Sequence, residues 1–150
     1  MPENLLAHHT TARVGGPAST WITVSTEDQL TAAIADADAA STPLLVLAGG
    51  SNMLVSDAGF PGTVVHLATE GIDVIESTEE YVYVRIAAGH EWDAVVAWSV
   101  VEGLTGIEAL SGIPGSTGAT PVQNVGAYGA DISKTLVSIR AWDRDTNRIV

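Results

Sequence analysis

Apolar and polar positions change period several times along the chain, and each change marks a predicted element. Residues 21–24 (WITV) alternate and are β-branched, which predicts a strand. Thr26 with Gln29 three positions on forms a capping box. Leu30, Ala33, Ile34 and Ala37 then recur at i, i+3, i+4 and i+7, the stripe of an amphipathic helix that Thr42-Pro43 stops. Residues 44–47 (LLVL) are short, wholly apolar and bounded by turn residues, as a buried strand is. Strand, helix and strand at this spacing form a βαβ-type unit, with a right-handed crossover if the strands are parallel. Ahead of it, the residues through Thr11 read as an arm, and ARVGGPA at 12–18 as turn punctuation.

Strand signals return at 62–67, 72–76 and 81–87, with residues 77–80 as a hairpin-like turn, so this part is expected to be antiparallel. From His90 the period is helical again, with Trp92, Val95, Val96 and Ser99 on one face and Gly103 just past the end. Residues 136–142 predict a further strand, 143–147 a polar turn, and Arg148, Ile149 and Val150 the start of a partner strand, so the chain reads as a piece that stops within a hairpin.

Between the last helix and that strand, residues 111–129 (SGIPGSTGATPVQNVGAYG) carry no charge and are broken by glycine or proline at seven positions, Gly112, Pro114, Gly115, Gly118, Pro121, Gly126 and Gly129. Neither a continuous helix nor a long strand persists through such a run, which leaves irregular backbone. A loop of this length in a compact domain is either a binding or catalytic loop or a neutral connector packed under the sheet. Its glycines permit positive φ and close approach of a ligand to bare N–H groups, and Ser111, Ser116, Thr117, Thr120, Gln123, Asn124 and Tyr128 add uncharged hydrogen-bonding groups. A second glycine-rich stretch, AGGSNML at 48–54, follows the buried strand at its carboxyl end, where open α/β sheets bind ligands, although such a turn is often only a turn.

Composition narrows the function classes. The 150 residues suffice for one domain with a core, being 46% hydrophobic and 16% charged. Eighteen acidic against six basic residues give a net charge of −12, which argues against a phosphate-backbone footprint for nucleic acid. No cysteine is present, so disulfides, thiolate metal sites and a cysteine nucleophile are excluded. The start, MPENLLAHHT, has no basic-then-apolar leader and no later run is long enough to span a bilayer, so a cytoplasmic protein without membrane contact is expected.

Motifs for several chemistries are missing. The dinucleotide fingerprint G-x-G-x-x-G, the Walker loop and G-x-S-x-G do not occur. Asp143, Asp145 and Asn147 imitate the opening of a calcium loop, but Arg148 stands where that loop needs glycine, so a hairpin turn is the expectation. His8, His9, His66 and His90 lack metalloprotease spacing and read as surface or capping residues. Glu108 precedes the long loop with no second titratable group nearby, so a structural role is expected of it rather than acid–base work. The two loops have no lysine or arginine, yet an anion could still bind there through backbone N–H groups.

Taken together, the motifs TTARVGGPA at 10–18, GGSNMLV at 49–55, GIPG at 112–115 and above all PVQNVGAYG at 121–129 resemble the UDP-N-acetylenolpyruvoylglucosamine reductases. These flavoenzymes of peptidoglycan precursor synthesis are also called UDP-N-acetylmuramate dehydrogenases. The resemblance covers nearly the whole chain. It implies an α+β, FAD-binding domain of the vanillyl-alcohol-oxidase (PCMH) type, with a small α/β subdomain at about 1–58 and a larger mixed or antiparallel one at about 59–150, FAD lying between them without a covalent link. Residues implied to bind the cofactor are Gly49, Gly50, Ser51, Asn52, Met53 and Leu54 together with Ser111, Gly112, Ile113, Pro114, Gly115, Gly118 and Ala119 beside the pyrophosphate and ribityl chain. Gln123, Asn124 and Gly126 are implied near the flavin, and Tyr128 on the substrate side.

The family uses NADPH to reduce FAD, and the hydride then passes to an enolpyruvyl nucleotide-sugar substrate while a serine supplies the proton and an arginine and a glutamate polarise the carboxylate. Those three residues are implied beyond Val150, so no catalytic residue is expected among the 150, and FAD binding without turnover is the expectation. A monomer is expected. Two alternatives stay open: an oxidase of the same fold carrying covalent FAD on a histidine of the glycine-pair loop, where this chain has Ser51, and a non-catalytic domain whose neutral loops contact a protein.

Overall fold

The computed structural model describes residues 4–150, which form two compact units. The first runs up to Ala68 and takes in Ile139–Val150, and the second is Thr69–Ser138. This boundary lies about ten residues later than the subdomain boundary expected at about 58, because the strand after it joins the first unit's sheet.

That sheet has three strands, β1 (Ala18–Val24), β2 (Leu44–Leu47) and β3 (Phe60–Leu67), in the order β1-β3-β2 with β3 parallel to both neighbours. The strand expected at 62–67 therefore belongs to the parallel sheet and not to an antiparallel part. Sequence alternation could not reveal this, since β3 is buried on both faces: Val64 and Val65, on opposite sides, are both fully buried. Helix α1 (Glu27–Ala39) lies on one face, where Leu30 and Ala33 pack against Val24, Val65 and Leu67. The hydroxyl of Thr26 accepts the Gln29 N–H at 3.2 Å, while the Gln29 side chain accepts the Ser25 N–H at 2.9 Å, so the capping box forms one residue wider than its usual pattern. Ser41 in the left-handed region ends the helix before Pro43.

The other face is covered by the chain's beginning. Of the expected arm, residues 1–3 lie outside the described residues, and the remainder is no arm: a single helical turn at Leu6–His8 puts Leu6 into the core with Ala18, Leu47 and Val64. Backbone bonds from Leu6 and Ala7 to the carbonyls of Gly16 and Gly15, each 3.1 Å, fix it there. Burying Leu6 contributes about 2 kcal/mol, enough to dock a short segment. His9 stacks on Trp21 at 4.1 Å between ring centres, and the His66 ring lies tilted against both. Two of the histidines expected at the surface are thus packed.

In the second unit β4 (Ile72–Ser77) and β5 (Val82–Ile86) form the expected antiparallel hairpin. Helix α2 (Trp92–Val101) contributes Trp92, Val95 and Val96 to a core shared with Leu110 and Ile132. Gly103 closes the helix, and the Leu104 N–H returns to the Ser99 carbonyl at 2.8 Å. The strand expected at 136–142 is largely absent. Its end pairs as β8 (Trp142–Asp143) with β9 (Arg148–Ile149), across the expected turn. Ala141 and Val150 exchange both backbone hydrogen bonds at 2.9 Å and extend that pairing by one residue, whereas residues 136–140 have strand-forming side chains but no ladder among the described residues, and Val137 is 76% exposed.

The 139–150 hairpin is tied to α1 by two forked ion pairs. The Arg140 guanidinium meets Glu27, in the helix's first turn, at 3.0 and 3.1 Å, and the Arg144 guanidinium grips both oxygens of Asp38 in its last turn. Arg144 holds the Asp38 carboxyl below its usual range, chiefly by hydrogen bonding.

Candidate functional site

The glycine-pair loop lies at the carboxyl end of β2, as expected. Gly50 is buried with φ +59, and a Cβ there would stand 1.9 Å from the His9 carbonyl oxygen, so the chain crosses itself at a point where only glycine fits. The Gly50 carbonyl accepts the Thr11 N–H at 3.2 Å. Around the crossing, Gly49 and Asn52 are exposed, Ser51 is half-buried, Met53 packs against the core and Leu54 is 85% exposed.

Residues 111–129 are more ordered than irregular backbone. They contain a single helical turn at Thr117–Ala119, the short helix α3 (Thr120–Gln123) begun by Pro121 and closed by Asn124 at φ +43, and a two-residue ladder between β6 (Gly126–Ala127) and β7 (Ala130–Asp131). Tyr128 and Gly129 both have positive φ, the pattern of a type I′ hairpin turn, and Tyr128 at the tip is 94% exposed.

The first half of the loop is strung across the N-terminus of α2. Trp92 donates its indole N–H to the Leu110 carbonyl at 3.2 Å and its backbone N–H to that of Gly115 at 3.0 Å. One oxygen of Asp93 accepts the Gly112 N–H at 2.6 Å and the Ser111 hydroxyl at 3.0 Å. The Gly112 and then the Ser111 bond hold the Asp93 carboxyl below its usual range. The Thr117 N–H and hydroxyl both reach the His90 carbonyl, and the Gly118 N–H reaches that of Ala88 at 2.8 Å.

Several N–H groups expected to be bare are therefore used inside the protein, among them those of Gly112, Gly118 and Ala119. The openness lies elsewhere. Gly112, at φ +76, has nothing within 4 Å of where a Cβ would be, and Pro114 is exposed while Ile113 packs inward. Ser111, Gly112, Ile113, Pro114, Gly115, Gly118 and Ala119 are gathered around the start of α2, whereas Gln123, Asn124 and Gly126 follow at the end of α3, exposed. Glu108 takes its own and the Gly106 N–H, which lower its pKa. Sequence reasoning missed Asp93; an acidic residue in a helix's first turn, next to a buried tryptophan, was the available signal.

Residues 18–150 match the family described as FAD binding domain, and the chain belongs to it. Its α+β architecture is of the PCMH type. Within that class it is similar to the UDP-N-acetylenolpyruvoylglucosamine reductases: 51% identical over 143 residues to that of Thermobifida fusca, and 50% over 144 to that of Saccharopolyspora erythraea. These alignments cover 95% and 96% of this chain but 40% and 39% of the relatives. The crystal structure of the Thermus caldophilus UDP-N-acetylenolpyruvylglucosamine reductase matches with a TM-score of 0.64 at 32% identity, over 85% of this chain and 43% of that one. The resemblance read from the motifs is thus to the right family. Among the described residues no helix is long and apolar enough to cross a membrane.

Proposed function

We propose that this chain supplies the FAD-binding part of an NADPH-dependent reductase that converts UDP-N-acetylglucosamine enolpyruvate to UDP-N-acetylmuramate, and that these 150 residues bind FAD without turning over that substrate. The observation that carries the reading is the identity of 51% with a reductase of that name, in a chain whose GIPG and PVQNVGAYG motifs at 112–129 resemble that family. FAD when bound supplies the hydride carrier between NADPH and the enolpyruvyl double bond.

The loops fit such a group. In the second unit Gly112 leaves open space, and Ser111, Gln123 and Asn124 offer neutral groups of the kind that hydroxyls and a pyrophosphate accept or donate to, with Asn52 of the glycine-pair loop a further proposed contact. Gly49, Gly50, Ser51, Met53 and Leu54 with Ile113, Pro114, Gly115, Gly118, Ala119 and Gly126 complete the proposed cofactor contacts, and Tyr128 is the proposed substrate-side residue. The protein is proposed to act in the cytoplasm as a monomer.

The test is titration with FAD, followed by acid precipitation. A yellow protein whose flavin is released by acid, whose affinity falls only weakly between low and moderate ionic strength, and whose bound flavin is bleached by NADPH is the expected result. A protein that stays colourless overturns the reading. Flavin that stays with the precipitate favours the covalent oxidase.

A further inference from the structure

We infer that Asp93 is a positioning residue for the cofactor loop, holding Ser111 and Gly112 in the geometry that receives FAD. The inference rests on the cofactor assignment above. Loop residues 110–115 are gripped by two adjacent residues of α2, and the grips differ in kind. Trp92 is 2% exposed, and its bonds to the Leu110 and Gly115 carbonyls lie in or beside the core. The Asp93 bonds to Ser111 and Gly112 lie at the surface. Losing the Trp92 contacts would open the core and unfold the unit, whereas losing the Asp93 contacts buries or exposes little and acts on the loop alone.

Two donors meeting one carboxylate oxygen fix more than a distance. The Gly112 N–H at 2.6 Å sets the direction of the peptide between Ser111 and Gly112, and the Ser111 hydroxyl at 3.0 Å is turned toward the same oxygen. Gly112 has φ +76 with open space around it, so neither packing nor its own side chain would keep that conformation. A glycine free on one side loses the most entropy on ordering, and the carboxylate is what the structure places to offset that. Asp93 stands in the first turn of a helix whose dipole favours a negative charge there.

Position should therefore matter more than charge. Asp93→Asn keeps an acceptor oxygen in the same place, Asp93→Glu keeps the charge but moves it by one methylene, and Asp93→Leu removes the acceptor. FAD affinity is expected to stay within about threefold for Asp93→Asn and to fall about tenfold for Asp93→Leu, with Asp93→Glu between them. Hydrogen exchange at the Gly112 amide should accelerate in the order Asn, Glu, Leu, while the melting temperature of the FAD-free protein stays near that of the wild type. The Asn and Glu variants keep the test open if the Leu variant fails to fold. Asp93→Glu binding like the wild type, or Asp93→Asn losing as much as Asp93→Leu, overturns the inference. So does a fall in melting temperature that tracks the loss of affinity. Wild-type protein that takes up no FAD overturns the cofactor assignment itself, an outcome distinguishable from these because it precedes any variant.

Discussion

Gly50 concentrates in one residue what the glycine-pair loop needs. Its φ of +59 and a Cβ position 1.9 Å from the His9 carbonyl oxygen exclude any side chain, so Gly50→Ala must both adopt a left-handed conformation and push the docked N-terminal segment away. The expected cost is about 3 kcal/mol, combining left-handed strain with overpacking, read as a shift of the urea midpoint without a change of slope. A midpoint unchanged in Gly50→Ala would show that the crossing relaxes easily. The sequence made this glycine legible as a turn residue, but not what it touches: His9 is 41 positions away, and only the docking of Leu6 brings its carbonyl there. Asp93 was illegible for a similar reason, since nothing local says that a first-turn carboxylate will meet a serine and a glycine 18 and 19 positions on.

Elements whose side chains decide their own period were legible: α1 with its cap, α2 with its buried face, and the β4–β5 hairpin. The first residues of the segment at 136–142 were not, because strand propensity is realised only where a neighbour supplies hydrogen bonds, as Val150 and Ile149 do for Ala141 and Trp142 alone. What fastens the following hairpin is instead ionic, Arg140 to Glu27 and Arg144 to Asp38. Trp142 is half-buried there, its indole N–H without an acceptor among the described residues. Exposed pairs of this kind contribute little each, so Glu27→Gln and Asp38→Asn should each raise the rate of tryptic cleavage after Arg140 and Arg144 by about two- to fivefold, and together by more. Added salt should narrow the difference from the wild type. The Asp38 carboxyl is lowered on folding, chiefly by its hydrogen bond with Arg144, so its contribution is full above the usual carboxylate range and is lost as pH falls through the lower folded value. Cleavage rates unaffected by either variant would mean that Trp142 and the turn hold the hairpin by themselves.

For the whole molecule, the proposed function makes stability depend on ligand. FAD that binds only the folded state should raise stability by about 2.7 kcal/mol at a hundredfold excess over its dissociation constant, seen as a higher melting temperature in excess FAD. A melting temperature indifferent to FAD would contradict cofactor binding. Substrate-dependent NADPH oxidation by these 150 residues would show that a proton donor lies within them.

Local chemistry, by itself, determined the uncharged glycine- and proline-punctuated loops, the capped and amphipathic helices, the acidic and cysteine-free surface, and the motifs that placed the chain in its family, since each depends on residues near one another along the chain. Tertiary structure alone decided that β3 enters between β1 and β2, that the N-terminal segment is core and not arm, and that Asp93 and Trp92 hold the long loop. Each of these is a pairing of surfaces distant in sequence, chosen by which apolar faces and unpaired backbone groups remain once the local elements have formed, and a period read along one segment carries no record of its partner.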